Sequence, residues 1–361
     1  MKQGWEYKKF EACINKTPKP KQVKTEEYNS GTKYPIVSQE DKLISGYYDD
    51  ESYVFHIDSP VVIFGDHTRV LKYVDFDFVV GADGVKIISP KQELNAKFLL
   101  YYLLWYKIPN LGYSRHYKLL KELNLPLPPK STQLAIVSEL DKINELIRLK
   151  KEQLKDYDNL AQSIFYEMFG DPVENDKGWE VKKLGEVGQI VTGTTPSTNE
   201  ESNWNGNINW VTPAELGTQL YYGETIRRIS TNAAKRLTLM PVGTVLLSTR
   251  APIGKLAITK VPMCCNQGFK NIICCQDLNN IFLYFYLLLT MDKIKAMGRG
   301  ATFKEVSKQA ISHYLVPLPP LPLQQLFAQR IEKIEHQKSE VTKAITDLET
   351  LLASRMQHWF E

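Results

Sequence analysis

From Ile136 onward, apolar residues recur at Ile136, Leu140, Ile143, Ile147, Leu154, Tyr157, Ala161, Ile164 and Met168, with Lys150 as the one break. This four-three spacing lays a single apolar seam along a helix of about 60 Å. The same rhythm returns at Phe327, Ile331, Ile334, Val341, Ile345, Leu348, Leu352 and Trp359, with Lys338 as its break. Each stretch follows a proline cluster, LPLPP at Leu125 to Pro129 and VPLPP at Val316 to Pro320. Prolines there stop the preceding structure and set the helix start. Pro126 and Pro317, Gln133 and Gln324, Leu160 and Leu351, and Phe169 and Phe360 all differ by 191 positions, so the register never slips. A helix this long cannot bury its seam against one small domain alone. The simplest arrangement packs the two as an antiparallel coiled coil, which brings residue 361 close to the first domain.

The repetition extends upstream. GWEYKKF, Gly4 to Phe10, returns as GWEVKKL, Gly178 to Leu184, at an offset of 174. Gly84-Val85-Lys86 pairs with Gly268-Phe269-Lys270 at 184. Runs such as PVVIF (Pro60 to Phe64), FDFVVGADGVKII (Phe76 to Ile88) and GTVLLSTR (Gly243 to Arg250) are rich in Val and Ile and bounded by turn formers, and they read as strands. Leu94 to Lys107 and Leu278 to Met297 read as packed helices. The pattern predicts a first α+β domain at 1–130, a helix at 131–169, a second α+β domain at 170–320 and a C-terminal helix at 321–361.

Composition narrows the class. The 361 residues are 43% hydrophobic, and the longest apolar run, Ile281 to Leu289, is half the length of a membrane span. The N-terminal MKQGWEYKKF has no apolar h-region, which points to the cytoplasm. Four of the five cysteines form the doublets Cys264-Cys265 and Cys274-Cys275. Neighbours in a strand point to opposite faces and chelate poorly, so these are expected to be buried, reduced thiols with no metal. Lys+Arg against Asp+Glu is 19 to 16 over 1–130 and 16 to 12 over 170–320, but 5 to 7 and 5 to 6 in the two helices. An anionic partner is therefore expected at the two domains.

Catalytic patterns are missing. GRGATF, Gly298 to Phe303, lacks the third glycine of a dinucleotide fingerprint; Gly254-Lys255 has no Walker A frame; and no N-P-P-Y type methyltransferase motif occurs. Glu180-Val181-Lys182 after Asp176 imitates a nuclease pattern, but the equivalent Glu6-Tyr7-Lys8 has Lys2 where the acid should be, so both read as surface at a strand start. His67 in FGDHTR reads as a turn histidine that bonds locally or touches a phosphate. The chain reads as a binder.

FGDHT and FVVGADGVKII in the first domain, TGTTPS (Thr192 to Ser197), INWVTPAEL (Ile208 to Leu216) and IGKLAITKVPMCCNQGF (Ile253 to Phe269) in the second, and PLPP with a Gln-marked helix after each domain resemble, in this order, the specificity subunit of type I restriction-modification systems. The resemblance implies two pseudo-two-fold-related target-recognition domains joined by two conserved helices. It also implies double-stranded DNA as ligand, two modification (methyltransferase) subunits, and restriction (translocase and nuclease) subunits in the full complex. No catalysis and no cofactor are implied for this chain; S-adenosylmethionine, ATP and Mg belong to the partners. Related domains would read a bipartite, asymmetric target around an unread spacer set by the helices. Expected DNA contacts in the first domain are Lys19, Lys21, Lys24, His67, Thr68, Arg69, Arg115, His116 and Lys118. In the second they are Thr194, Thr195, Ser197, Thr212, Arg227, Arg228, Thr249, Arg250, Asn266, Gln267, Lys270, Arg299 and Lys304. Thr68-Arg69 and Thr249-Arg250 align at an offset of 181, which suggests a shared phosphate or structural role. The rival readings are a coiled-coil scaffold that binds no DNA and a nuclease using Glu180 and Lys182.

Overall fold

The two GWE motifs form equivalent strands, each paired with a proline cluster. A computed structural model describes residues 4–112, 114–298 and 305–361. It falls into two units, Met1–Lys151 with Lys343–Glu361, and Glu152–Thr342, so each unit holds part of both long helices, Lys130–Phe169 and Leu321–Phe360.

In the first unit Glu6–Lys9 pairs antiparallel with Asn124–Leu127. One sheet runs in the order Ile14–Asn15, Val85–Pro90, Val61–Gly65, Leu71–Val74, antiparallel throughout. A second runs Gly46–Tyr48, Tyr34–Val37, Phe78–Val80, Val54–Phe55, with the middle two strands parallel. Val62 and Phe64 join the cluster around the helix Ala96–Tyr106, while Val61 and Ile63 join another with Val37 and Val80. Covered on both faces, that strand needs no polar alternation, which is why PVVIF reads as an unbroken apolar run. FDFVVGADGVKII supplies two strands, in different sheets, joined by a turn at Gly81 to Gly84.

The second unit repeats the plan. Val181–Lys183 pairs with Leu315–Pro317. Five strands run Gly188–Thr192, Lys270–Cys274, Val245–Leu247, Leu256–Thr259, Tyr221–Tyr222, and three run Arg227–Ile229, Trp204–Val211, Met263–Cys265. Trp204–Val211 and Met263–Cys265 are parallel, as Tyr34–Val37 and Phe78–Val80 are in the first unit. Cys264 faces the cluster of Trp210 and Ile229, and Cys265 that of Val211 and Met240. Burial pushes their thiols up to about 11 and about 12. Cys275 departs from the expected burial: it is exposed, one residue past the strand end, where its backbone N–H donates to the Val187 carbonyl and its own carbonyl accepts from the Leu278 N–H. The helix expected over Leu278 to Met297 is two helices, Asn280–Leu289 and Met291–Ala296. At the break, Thr290 still makes the helical N–H bond to the Tyr286 carbonyl, which its hydroxyl also bonds, but its backbone leaves the helical region at φ −106° and ψ 16°.

The long helices pair antiparallel within each unit. In the first, Glu139 near the start of one helix takes hydrogen bonds from Arg355 and Trp359 near the end of the other. In the second, Lys338, the break in the seam, bonds Asp158 and Glu335 at 2.8 Å. Burial pulls its pKa down, but the two carboxylates leave it raised on balance. Phe360 packs on Phe98, Tyr102 and Trp105, and its copy Phe169 packs on Phe282, the copy of Phe98. Among the described residues no helix is long and apolar enough to cross a membrane.

Gln133 and Gln324, the residues that mark both helix starts, are 1% and 0% exposed. Gln133 accepts from the Asn95 N–H at 2.8 Å and donates to the Glu93 and Pro128 carbonyls at 2.8 and 2.9 Å. Gln324 accepts from the Asn279 N–H at 2.8 Å and donates to the Asp277 and Pro319 carbonyls at 3.1 and 2.7 Å. Asn95 and Asn279 cap their domain helices. Each glutamine thus ties the start of a long helix to the start of the helix inside its domain.

Candidate nucleic-acid interface

Some of the candidates lie on turns just past strand ends: His67 to Arg69 after Val61–Gly65, Thr249-Arg250 after Val245–Leu247, and Asn266-Gln267 after Met263–Cys265. In the first unit, Gln39 links three turns: its Nε2 donates to the Asp83 carbonyl at 3.0 Å, its Oε1 accepts from the His67 N–H, and its carbonyl accepts from Thr68 Oγ1 at 2.6 Å. Buried Lys72 braces the same loop by donating to the Ser38 and Lys42 carbonyls, and burial pulls its pKa down. Thr68 is exposed and His67 half-buried. Arg69 sits at φ 63° and turns its guanidinium to the Ile108 carbonyl at 3.0 Å, which makes it a brace for the turn. Arg115 and Lys118 are exposed. His116 between them is fully buried: Nε2 accepts from the Leu111 N–H at 3.0 Å and Nδ1 faces the Asp66 carbonyl at 2.9 Å. The pair of contacts fits a neutral ring with its proton on Nδ1. Lys19, Lys21 and Lys24 are exposed beside the second sheet, where Val23 bonds Val80, and Lys21 reaches Ser52 Oγ at 3.1 Å and lies 5.0 Å from the Tyr53 ring.

In the second unit the TGTTPS loop meets the Asn266-to-Gly268 turn. The Thr194 N–H donates to the Cys265 carbonyl, Thr195 Oγ1 donates to Gln267 Oε1, and Asn266 Oδ1 accepts from the Gly268 N–H at 2.9 Å. A Cβ on Gly193 would lie 1.9 Å from the Asn266 carbonyl oxygen, so only glycine permits this approach. Trp210 Nε1 donates to the Thr194 carbonyl and Trp204 Nε1 to that of Ser197, whose side chain is exposed. The exposed Arg227 guanidinium lies 3.9 Å from the Trp204 ring centre and 5.1 Å from that of Trp210, a cation–π clamp. Arg228, the next residue in the strand, is also exposed.

Three further candidates are internal supports. Thr249 is fully buried and donates to the Gly268 carbonyl. Lys270, 5% exposed, pairs with Glu305 Oε1 at 3.1 Å, while exposed Arg250 takes Oε2 at 2.9 Å. Burial lifts the Glu305 pKa, but these two hydrogen bonds hold it below the ordinary carboxylate range. Half-buried Thr212 bonds Glu215, which also accepts from the Ile226 N–H and the Tyr222 hydroxyl. His116, Thr249 and Lys270, all buried, therefore shape the surface from beneath, while half-buried Thr212 is held by Glu215. Arg299 and Lys304 lie outside the described residues.

The offset of 181 is corrected as well. The Gly84 carbonyl accepts from the Asp66 N–H, and the Gly268 carbonyl from the Thr249 N–H. The strands likewise pair Val62 with Ile88 and Val245 with Ile272. Thr249 therefore corresponds to Asp66 and Arg250 to His67, at an offset of 183. Gln39, Glu215, Glu305 and the two tryptophans were missed by sequence reasoning, because nothing local marks a residue that works through partners far along the chain.

The sequence family described as the type I restriction modification DNA specificity domain matches residues 2–156 and again 176–350, and the chain belongs to this family. The MjaIX type I restriction enzyme specificity subunit of Methanocaldococcus jannaschii is 34% identical over 190 residues, 51% of this chain and 44% of that one. The EcoR124I/EcoR124II specificity subunit of Escherichia coli is 25% identical over 353 residues, 90% of this chain and 84% of that one. The type I restriction-modification S subunit of M. genitalium shares the fold, with a TM-score of 0.61 at 16% identity over 99% of this chain and 96% of that one. The family is described by DNA specificity, and both halves of the chain match its model.

Proposed function

We propose that this chain reads a bipartite, asymmetric DNA target, one half-site per unit, and positions two modification subunits and, in a full complex, restriction subunits on it. The supporting observation is a repeated scaffold that carries different exposed side chains, Thr68, Arg115 and Lys118 in the first unit and Thr194, Ser197, Arg227, Arg228 and Arg250 in the second. Similar scaffolds with different tips call for two different half-sites. Chemistry that uses S-adenosylmethionine, ATP and Mg belongs to the partner subunits. In the nuclease pattern, Glu180 pairs with Lys182 at 3.5 Å and Asp176 Oδ1 accepts from the Asp171 N–H.

The direct test purifies the chain with its modification subunit and measures duplex binding across a salt series. Affinity is expected to fall steeply with salt, since phosphate contacts release counterions. Arg250→Ala is expected to weaken binding to all sequences alike. Tight assembly without any shift of duplex DNA would support the scaffold reading. Metal-dependent cleavage by the isolated chain would support the nuclease.

A further inference from the structure

Superposing the hydrogen-bond patterns of the two units brings an unassigned residue into view. In each unit one turn leads out of the parallel strand pair and ends on a glycine, Gly84 or Gly268, whose carbonyl takes the N–H of Asp66 or Thr249. Each glycine lies against corresponding neighbours. A Cβ on Gly84 would touch Gln39 and His67; one on Gly268 would touch Pro213 and approach Arg250. His67 and Arg250 correspond, and so do Gln39 and Pro213 at the offset of 174. The residue before the glycine is the tip of the turn, Asp83 in the first unit and Gln267 in the second, and both are exposed.

The tips differ in chemistry. Asp83 has its backbone carbonyl fixed by Gln39 Nε2, and its carboxylate takes no hydrogen bond from the described residues. Gln267 is oriented by Thr195, which occupies one lone pair of Oε1 and leaves the second lone pair and both amide hydrogens outward. An Asp-Gly pair is an ordinary turn signal, but Gln-Gly is not. Their shared place is therefore set by the scaffold, and residue choice at the tip is free to vary. A carboxylate is repelled by phosphates, so on a DNA-reading surface its useful partner is the amine on a base edge. In the major groove cytosine N4 donates to Asp or Glu, and adenine N6 and N7 take Gln bidentately.

Resting on the reading given under Proposed function, we propose that Asp83 and Gln267 are equivalent specificity positions, one per half-site, with Asp83 reading a cytosine and Gln267 an adenine. Thr195 is a positioning residue for Gln267.

The test co-expresses the full chain with its modification subunit in cells free of other DNA methylation, and maps methylated motifs genome-wide. Asp83→Gln is expected to change one base pair of one half-site, with methylation at original sites down about tenfold to a hundredfold, and to leave the other half-site intact. Gln267→Asp is expected to do the converse, and Thr195→Val to relax the Gln267 position without altering the other half-site. If Asp83→Gln abolishes methylation, Asp83→Asn, which fits the same space, decides: one relaxed base pair supports the proposal. A variant that co-purifies with its partner and methylates the unchanged motif at the unchanged level overturns it. A wild-type complex that methylates a single undivided motif sinks the bipartite reading itself, a separate failure.

Discussion

At the scale of residues, the two buried glutamines show how a repeated residue acquires meaning only from its partners. Gln133→Ala would strand a backbone N–H and two carbonyls in a site closed to water, as Gln324→Ala would in the other unit. Unmet buried groups cost about 1–3 kcal/mol each, and relaxation recovers part, so each variant is expected to lose about 2–4 kcal/mol in urea unfolding. Equal stability in variant and parent would remove the staple role. The recurrence at 191 was visible in the sequence; the bonds, to backbone atoms of a helix cap some forty residues upstream, were not. The same blindness explains the corrected site residues. His116 and Lys270 have the chemistry of DNA contacts, but side-chain type does not reveal burial, and Asp66 and Glu305 claim them from distant positions.

At the scale of elements, the long helices were the most legible feature, because their four-three seam is a local pattern. The ion pairs across that seam are not local. Glu139 is held by Arg355 and Trp359, and the Arg355 hydrogen bond leads in keeping its carboxyl below the ordinary range. A carboxyl whose pKa is lower in the folded state contributes stability above its unfolded value, about 4.3, and loses it as pH falls through the folded value. Glu139→Gln is therefore expected to lower the unfolding free energy at pH 7 by about 1–2 kcal/mol, as for a partly exposed charged hydrogen bond, and the gap to the parent is expected to close as pH falls through the folded value. A gap that stays constant as the pH is lowered would assign the effect to packing instead. The misread offset of 181 belongs to this scale too. The spacing between strand and turn differs between the copies, so residue types that happened to coincide, Thr-Arg twice, aligned positions that the hydrogen bonds separate.

At the scale of the whole molecule, the question is whether a reading domain can be exchanged without disturbing its neighbour. The contacts that tie domain to helix favour this. Both glutamine staples bond only backbone atoms, so a foreign domain needs the proline cluster and the capped helix start but not the same side chains. The remaining ties are apolar and substitutable in kind: Ile136 and Leu140 pack with Phe98 and Leu99, and Phe327 and Ile331 with Phe282 and Phe285. Side-chain-specific bonds are few, chiefly Asp141 with Lys97 and Tyr101 at 2.7 Å. Replacing residues 1–130 with the matching segment of a relative that keeps Lys97 and Tyr101, while retaining both long helices, is expected to give a chain that assembles normally. Its methylated motif should carry one new half-site and one old one, with the number of unread base pairs between them unchanged, because the helices are untouched. Genome-wide methylation mapping of the chimera reads all three quantities at once. A change in both half-sites would mean that the units do not read independently, and a changed spacer with one half-site exchanged would mean that the domains, and not the paired helices, set the distance.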